Sequence, residues 1–181
     1  MGMAMELETE RLFFKLLTLS QLKLWVNNIS MLEVELNCKC NKEPIDGFFL
    51  NIINKQIKII ENDPENYVYH SFWFIIRKED NRVLGSIDYK NIPNEKKEVE
   101  IGYGLEKQFE HNGYMTEAVS AFCKMAFMDE KIETIIAETE AENIASYKVL
   151  EKCGFKKFKE EGTNWWRLNK MEKNIKLGIQ V

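Results

Sequence analysis

The sequence lacks the features that mark membrane, secreted and metal-binding proteins. No apolar run approaches the roughly 18 to 20 residues of a membrane-spanning helix, and residues 1–10 lack the basic and apolar segments of a signal peptide. There are only four cysteines, spaced neither as a disulfide framework nor as a zinc site, which needs about four ligands. We therefore expect a cytoplasmic protein with reduced thiols, no bound metal and no membrane partner.

An excess of basic residues is also absent. The chain has 25 Lys and Arg against 29 Asp and Glu, which gives a formal net charge of −4. Because nucleic-acid binding needs a basic footprint, we expect no nucleic-acid partner. The mild acidity is compatible with a cationic substrate such as an amine. With 45% hydrophobic and 30% charged residues over 181 positions, the chain suits one globular domain and excludes disorder for its bulk.

Hydrophobic periodicity along the chain indicates the secondary structure. Helical spacing predicts helices over Ser20–Asn28, Ile45–Glu61, Gly113–Met128 and Asn143–Lys152. Short β-like runs predict strands over Arg11–Leu17, Ser71–Arg77, Val83–Tyr89, Glu98–Leu105, Thr134–Glu138, Phe155–Glu161 and Trp165–Asn169. Three of these runs lie close together between residues 71 and 105, which is typical of an antiparallel meander. The order predicts an α/β protein with a mixed sheet and helices on its faces, while residues 171–181 receive no assignment.

One candidate site lies where the predicted strand ending at Leu105 leads through a polar loop into a helix. That helix begins at Gly113 without a Ser or Pro cap. Its first turn presents unpaired N–H groups and the positive end of the helix dipole, and a glycine lets a phosphate approach closely. Residues 110–116 therefore form a candidate pyrophosphate cradle, although a glycine before a helix can also be an ordinary turn.

A second candidate site lies on the predicted helix from Asn143 to Lys152. Ser146 shares one face of it with Val149, Leu150 and Cys153, at spacings of three, four and seven residues. A serine on an apolar face is either a satisfied core hydroxyl or a polar group placed for function. In the simpler interpretation Asn143 caps the helix and Ser146 supports the cap.

Together the two stretches resemble the GNAT superfamily of acetyl-CoA-dependent N-acetyltransferases, and most closely the Rim-type subfamily that acetylates ribosomal-protein N-termini. The matching segments read E-I-G-Y at residues 100–103, G-Y-M-T-E-A at 113–118 and N-I-A-S-Y-K-V-L-E-K-C-G-F at 143–155. The resemblance runs from about Leu7 to Asn169. It implies a single domain over residues 1–181 with its core at about 7–169, built as a central mixed sheet of about seven strands flanked by about four helices.

The chain departs from the family's coenzyme A signature at three positions. Glu110 stands where an Arg or Gln is usual, His111 where many relatives have the first glycine, and Met115 where Gly or Ala is usual. A Glu110 carboxylate facing a diphosphate would repel it. We expect that side chain to point away, so that backbone N–H groups bind the diphosphate.

The resemblance implies acetyl-CoA as co-substrate and a set of residues that bind it. The strand end at Tyr103–Leu105 would splay from the next strand, and its backbone groups would pair with the pantetheine amides. Asn143 would also bind the pantetheine arm. The implied cofactor-binding residues are Tyr103, Gly104, Leu105, Glu110, His111, Asn112, Gly113, Tyr114, Met115, Thr116, Asn143 and Ser146.

The resemblance also implies two catalytic residues. Glu100 occupies the strand position of a general base, although it could equally be a solvated strand residue. Ser146 is the Rim-type proton donor to the leaving thiolate, because the tyrosine that many relatives carry is replaced by Leu150; Tyr147 is a poorer candidate. We expect direct attack by the amine rather than a covalent route through Cys123 or Cys153, since buried cysteines on helix faces are usually inert.

The implied reaction is acetyl transfer to a primary amine, with the acceptor left open. The first interpretation is the N-terminal amine of a protein such as a ribosomal protein. The second is a small amine, such as a polyamine, an amino sugar or an amino acid, and the third is a GNAT module that binds coenzyme A without turnover. Acceptor specificity would lie in residues 20–66 and in the hairpin containing Trp165 and Trp166. We expect a monomer or a homodimer.

Overall fold

The computed structural model describes residues 7–170, which form one eight-stranded mixed sheet with helices on both faces. The strand order is β1-β2-β3-β4-β5-β6-β8-β7. The strands are β1 Leu7–Glu8, β2 Leu12–Leu16, β3 Phe72–Arg77, β4 Arg82–Tyr89, β5 Glu98–Leu105, β6 Thr134–Glu140, β7 Lys156–Glu161 and β8 Thr163–Asn169. The α-helices are α1 Leu19–Asn27, α2 Ile29–Leu36, α3 Gly47–Asn62, α4 Tyr67–His70, α5 Tyr114–Ala126 and α6 Ile144–Lys152.

The expected α/β class, the mixed sheet and the central meander are confirmed, with β3, β4 and β5 paired antiparallel in sequence order. The structure adds β1, α2 and α4 to the predicted elements. The first predicted helix starts at Leu19, one residue earlier than expected, because Thr18 caps it. Thr18 accepts a hydrogen bond from the N–H of Gln21, whose side chain accepts one from the Thr18 N–H. Asn28 then ends α1 and caps α2.

Two hydrophobic cores lie on opposite faces of the sheet. One face packs against α5 and α6 through residues such as Trp73, Val99 and Phe122. The other packs β3 against α1, α2 and α3, with Phe72 and Phe74 fully buried. On this second face the core ends at β4. Within residues 7–170, no helix of that core therefore covers the strands from β5 to β8.

The sheet opens between β5 and β6, the only parallel pair among the described strands. These strands are paired only from Glu98–Thr134 to Ile101–Ala137. Beyond that point β5 stays paired with β4 as far as Leu105, while β6 stays paired with β8 as far as Glu140. The expected splay is therefore present, and one edge of residues 102–105 is left without a partner strand.

No helix within residues 7–170 is long and apolar enough to cross a membrane.

Candidate active site

A cleft of about 710 Å³ lies where β5 separates from β6, between the N-terminal ends of α5 and α6. We call it the cofactor cleft. Eleven of the twelve predicted cofactor-binding residues line it, and Asn112 does not. Its lining is Tyr103, Gly104, Leu105, Glu110, His111, Gly113, Tyr114, Met115, Thr116, Asn143, Ile144, Ala145, Ser146, Lys148, Val149 and Lys152.

The N-terminus of α5 presents a run of unused N–H donors to this cleft. Gly113 precedes the helix with φ of 77°, and His111 has φ of 63°, so the loop turns sharply through two left-handed residues. No acceptor among residues 7–170 takes a hydrogen bond from the backbone N–H groups of residues 111–116. Such donors at the positive end of a helix form an anion-binding site.

The side chain of Asn112 stabilises this loop internally. Its amide donates to the carbonyl oxygens of Phe109 at 3.2 Å and Glu110 at 2.8 Å. The neighbouring Glu110 and His111 lie at the outer end of the cleft, with the His111 side chain 90% exposed. The direction of the Glu110 carboxylate relative to a bound diphosphate stays a prediction.

Arg11 attaches the loop and α5 to the start of β2. Its Nη1 donates to the Asn112 carbonyl oxygen at 3.1 Å, its Nε donates to the Glu117 carboxylate at 2.7 Å, and its guanidinium carbon lies 4.4 Å from the centre of the Tyr114 ring. Burial raises the pKa of Glu117, but hydrogen bonds from Thr9 and Arg11 outweigh it and hold that pKa below its ordinary value. Our sequence analysis missed Arg11, which lies 101 residues before Asn112.

Two lysines on α6 place positive charge along the cleft. Lys148 and Lys152 are four residues apart, so they lie on one side of the helix, and both line the cleft. Neither was marked in the sequence analysis. Their spacing on the Ser146 helix was the available signal, but exposed lysines at this spacing are common on helix surfaces.

Ser146 and Tyr103 meet across the cleft. The Tyr103 hydroxyl lies 2.8 Å from the Ser146 Oγ and donates to the Ser146 carbonyl oxygen at 3.2 Å. Burial raises the pKa of Tyr103, and the hydrogen bond with Ser146 opposes the rise. Leu150 is fully buried in the core, so no side chain at that position reaches the cleft. The sequence analysis assigned Tyr103 only a backbone role, and its hydroxyl is an addition.

Asn143 serves as the helix cap that the simpler interpretation predicted. Its Oδ1 accepts a hydrogen bond from the Ser146 N–H at 2.9 Å, which fixes the first turn of α6. Because Asn143 also lines the cleft, capping and a contact to the cofactor are compatible.

Glu100 faces away from the helices of the cofactor cleft. Alternation along β5 places Glu98, Glu100, Gly102 and Gly104 on the face opposite α5 and α6. A Cβ at Gly104 would have no heavy atom of residues 7–170 within 4 Å, so these residues leave the space beside the splay open there. Burial raises the pKa of Glu100 above its ordinary value, nearby Lys90 opposes the rise, and Glu138 adds to it.

The surrounding face, which we call the open face, is rich in carboxylates. Strand register and alternation place Asp88 of β4, Glu98 and Glu100 of β5, Glu138 of β6, and Trp165 and Arg167 of β8 on it. Lys90, which follows β4, lies on the same face, since its side chain reaches Asp88 and the space over Gly102. Four of these side chains are acidic and two are basic, so a cationic substrate is favoured electrostatically at this face.

The cysteines lie outside this arrangement. All four are reduced and buried, and the Cys153 thiol donates to the Thr116 carbonyl oxygen. The Sγ atoms of Cys38 and Cys40 lie 3.7 Å apart in the core with α1 to α3, on the face of the sheet opposite α5 and α6. Residues 7–170 contain no group of three or more His, Cys, Asp or Glu that could hold a metal ion.

Comparison with known proteins identifies the family. The family model of the acetyltransferase (GNAT) domain matches residues 41–156. The chain belongs to the GNAT acetyltransferase family. The resemblance stated from the motifs is therefore confirmed, and the enzyme is an acetyl-CoA-dependent N-acetyltransferase.

Individual relatives agree with this assignment. The chain is 30% identical over 123 residues to the uncharacterized N-acetyltransferase YjdG of Bacillus subtilis, a match that covers 67% of this chain and 71% of that protein. Two solved structures share the fold. RimL, a ribosomal L7/L12 alpha-N-protein acetyltransferase in complex with coenzyme A, has a TM-score of 0.65 at 15% identity and covers 91% of this chain and 97% of its own. The ribosomal-protein-S5-alanine acetyltransferase of Vibrio fischeri has a TM-score of 0.63 at 20% identity, with coverages of 91% and 96%.

Proposed function

We propose that this GNAT enzyme transfers the acetyl group of acetyl-CoA directly to the N-terminal amine of a protein. The observation that carries the proposal is the splay between β5 and β6, which joins the cofactor cleft on one face of the sheet to the open face on the other. An acetyl group held in that gap would be reached from the two faces by different molecules. The extent of the domain over residues 1–181 and the monomer-or-homodimer expectation stay predictions.

The cofactor would bind through backbone groups first. The unpaired edge of residues 103–105 can exchange hydrogen bonds with the amides of pantetheine, as an added strand would. The free N–H groups of residues 111–116 can bind the diphosphate. Lys148 and Lys152 add the positive charge that Glu110 does not supply, and phosphate binding at a lysine is electrostatic.

Glu100 would act as the general base, directly or through a water. A protein α-amine has a pKa near ~7.7 to 8.0, so part of it is protonated at neutral pH, and attack needs the free lone pair. The amine nitrogen then forms the bond to the thioester carbonyl carbon, and the carbon–sulfur bond breaks. An N–H of the unpaired β5 edge can stabilise the developing oxyanion.

Ser146 would supply the proton that the departing thiolate needs. Its hydroxyl can donate to the sulfur when the Tyr103 hydroxyl, 2.8 Å away, donates to the Ser146 Oγ. This arrangement replaces the helix tyrosine that Leu150 cannot provide. Of the two protons that an acceptor ammonium loses, one ends on coenzyme A and the other passes through Glu100 to solvent.

The open face favours a protein N-terminus as acceptor. A Cβ at Gly104 would meet no heavy atom of the described residues within 4 Å, which leaves space beside the splay for the end of a polypeptide. The neighbouring structures named for ribosomal-protein acetylation support the same choice by analogy of fold. The second candidate is a small cationic amine, which the four carboxylates of the open face favour. Family membership and the N-acetyltransferase relatives support an enzyme over the third interpretation, a module without turnover.

A competition between acceptor classes tests this proposal. Peptides with free N-termini and a panel of polyamines, amino sugars and amino acids are each incubated with enzyme and acetyl-CoA, and acetylation is located by mass spectrometry. We expect acetylation at peptide α-amines, with kcat reduced roughly 100-fold in Glu100→Gln and in Ser146→Ala, the usual scale of general acid–base catalysis. Exclusive modification of small amines would overturn the acceptor, and wild-type kcat in both variants would overturn the catalytic assignment.

A further inference from the structure

Lys90 occupies the open face beside Glu100, and neither the family nor the proposed chemistry assigns it a role. Lys90 directly follows β4, and its backbone N–H donates to the Glu100 carbonyl oxygen at 2.8 Å, so it lies opposite Glu100 of β5. Residues opposite each other in an antiparallel pair have Cβ atoms roughly 4.5 to 5.5 Å apart. Lys90 also lies two residues after Asp88, and both side chains therefore point to the same face.

Gly102 makes room for the Lys90 side chain to lie across β5. A Cβ built on Gly102 would lie 2.2 Å from Lys90 Cε and 2.7 Å from its Nζ. The ammonium group therefore occupies the volume that any other residue at position 102 would fill. The same Cβ would lie 3.3 Å from an Asp88 carboxylate oxygen, and Lys90 Nζ is 3.7 Å from the other oxygen of Asp88.

These contacts place one cation among two carboxyl groups of unequal exposure. Asp88 is 5% exposed, and burial raises its pKa to about 7, against the opposing effect of Lys90. Glu100 is less buried. Lys90, just after β4, and Glu138 of β6 are the charged residues that act on Glu100. Arg167 of β8 is instead paired with Glu98 at 3.2 Å. Lys90 is thus the cation that acts on Glu100 among the described residues of this face.

We propose that Lys90 is a positioning residue for the general base: its ammonium group, seated over Gly102 beside Asp88 and on the same face of the sheet as Glu100, keeps the Glu100 carboxylate ionised and ready to accept the proton of the acceptor amine. This inference rests on the proposed role of Glu100. It assigns Gly102 a specific reason for having no side chain. It also explains how a carboxylate in a partly buried, acidic environment remains a base at neutral pH, since a nearby opposite charge favours the ionised form.

The test is the pH dependence of kcat/KM on a single acceptor peptide. Lys90→Met removes the cation, and we expect the acidic limb of the profile to move up by roughly one pH unit. Gly102→Ala keeps every titrating group but displaces the flexible end of Lys90. We therefore expect the acidic limb of the Gly102→Ala profile to move in the same direction. Lys90→Arg retains the charge and returns the limb towards that of the wild type.

Controls separate this inference from the proposed function. Lys97→Met removes a comparable lysine, which is paired with Glu133 at 2.7 Å at the beginning of β5, and its limb stays at the wild-type position. The Glu100 pKa is also followed by carbon NMR of the carboxyl groups in Lys90→Met, a readout independent of turnover. If Glu100→Gln loses the acidic limb while Lys90→Met leaves both the limb and the Glu100 pKa unmoved, the role of Lys90 is wrong and the general base stands. If Glu100→Gln retains the wild-type rate and limb, the general base itself is wrong, and the inference falls with it.

Discussion

The hydroxyl of Ser146 combines a structural contact with the catalytic role that we propose for it. Its backbone N–H is taken by the Asn143 cap, and its carbonyl oxygen and side chain both contact the Tyr103 hydroxyl. The two alternatives raised by the sequence, a satisfied hydroxyl and a functional one, are therefore not exclusive. The Oγ remains able to donate in one direction while its other contacts hold it in place.

Asp88 gives a prediction at the residue scale that concerns stability. Its pKa is raised by burial to about 7 from an ordinary value of 3.8, so the folded protein binds this proton more tightly than the unfolded chain. The sign of the linkage follows: stability from this group is complete below pH ~4 and is lost as the pH rises towards 7. Asp88→Asn removes that dependence, and we expect the variant to gain up to a few kcal/mol over the wild type between pH 5 and pH 8.

Urea unfolding of both proteins at pH 5, 6, 7 and 8 checks this prediction. The difference in the free energy of unfolding should grow across the series and level off above pH 7. A constant difference would mean that Asp88 is ionised in the folded protein throughout this range.

At the scale of elements, the start of α5 depends on a strand that is distant in sequence. Arg11 holds the Asn112 carbonyl, the Glu117 carboxylate and the Tyr114 ring at once. The loop that presents the free N–H groups is thereby fixed to β2 before any ligand arrives. Preorganisation of this kind lowers the cost of ordering a binding loop.

Arg11→Met therefore weakens cofactor binding as well as stability. We expect a several-fold rise in the Kd for acetyl-CoA, with a loss of stability on the order of 1 kcal/mol because the pair is partly exposed. Calorimetric titration and thermal unfolding measure the two effects. Lys23→Met is the matched control, since Lys23 pairs with Glu61 at 2.6 Å between α1 and α3, away from the cofactor cleft. An equal change in Kd for both variants would contradict the anchoring role of Arg11.

The elements also show what the sequence could predict. Strand β5 was predicted at its observed bounds, because alternation and a flanking loop mark it clearly. Helix α2 was missed, since Asn28 ends one helix and caps the next with no intervening loop. In the candidate site, the predicted residues that line the cofactor cleft were marked by the two family motifs. Arg11, Lys90 and the Tyr103 hydroxyl were not, because their roles come from strand pairing and tertiary contacts that local patterns do not encode.

At the scale of the whole molecule, our proposal places the acetyl donor and the acceptor amine on opposite faces of the sheet. Helices α5 and α6 border the cofactor cleft on one face, and the carboxylates of the open face lie on the other. The gap between β5 and β6 joins the two sides. In our proposal the same backbone divergence provides unpaired hydrogen-bonding groups for the cofactor and a passage for the amine.

The most direct test of this account is the thermal unfolding of the protein with and without acetyl-CoA. Ligand at about 100 times its Kd stabilises the folded state by ~2.7 kcal/mol, which corresponds to a rise in Tm of roughly 5 to 10 °C for a chain of this size. We predict that rise for the wild type and a smaller one for Arg11→Met at the same ligand concentration. An unchanged Tm at millimolar acetyl-CoA would contradict the account, because the loop with Glu110, His111 and Met115 would then fail to bind the cofactor.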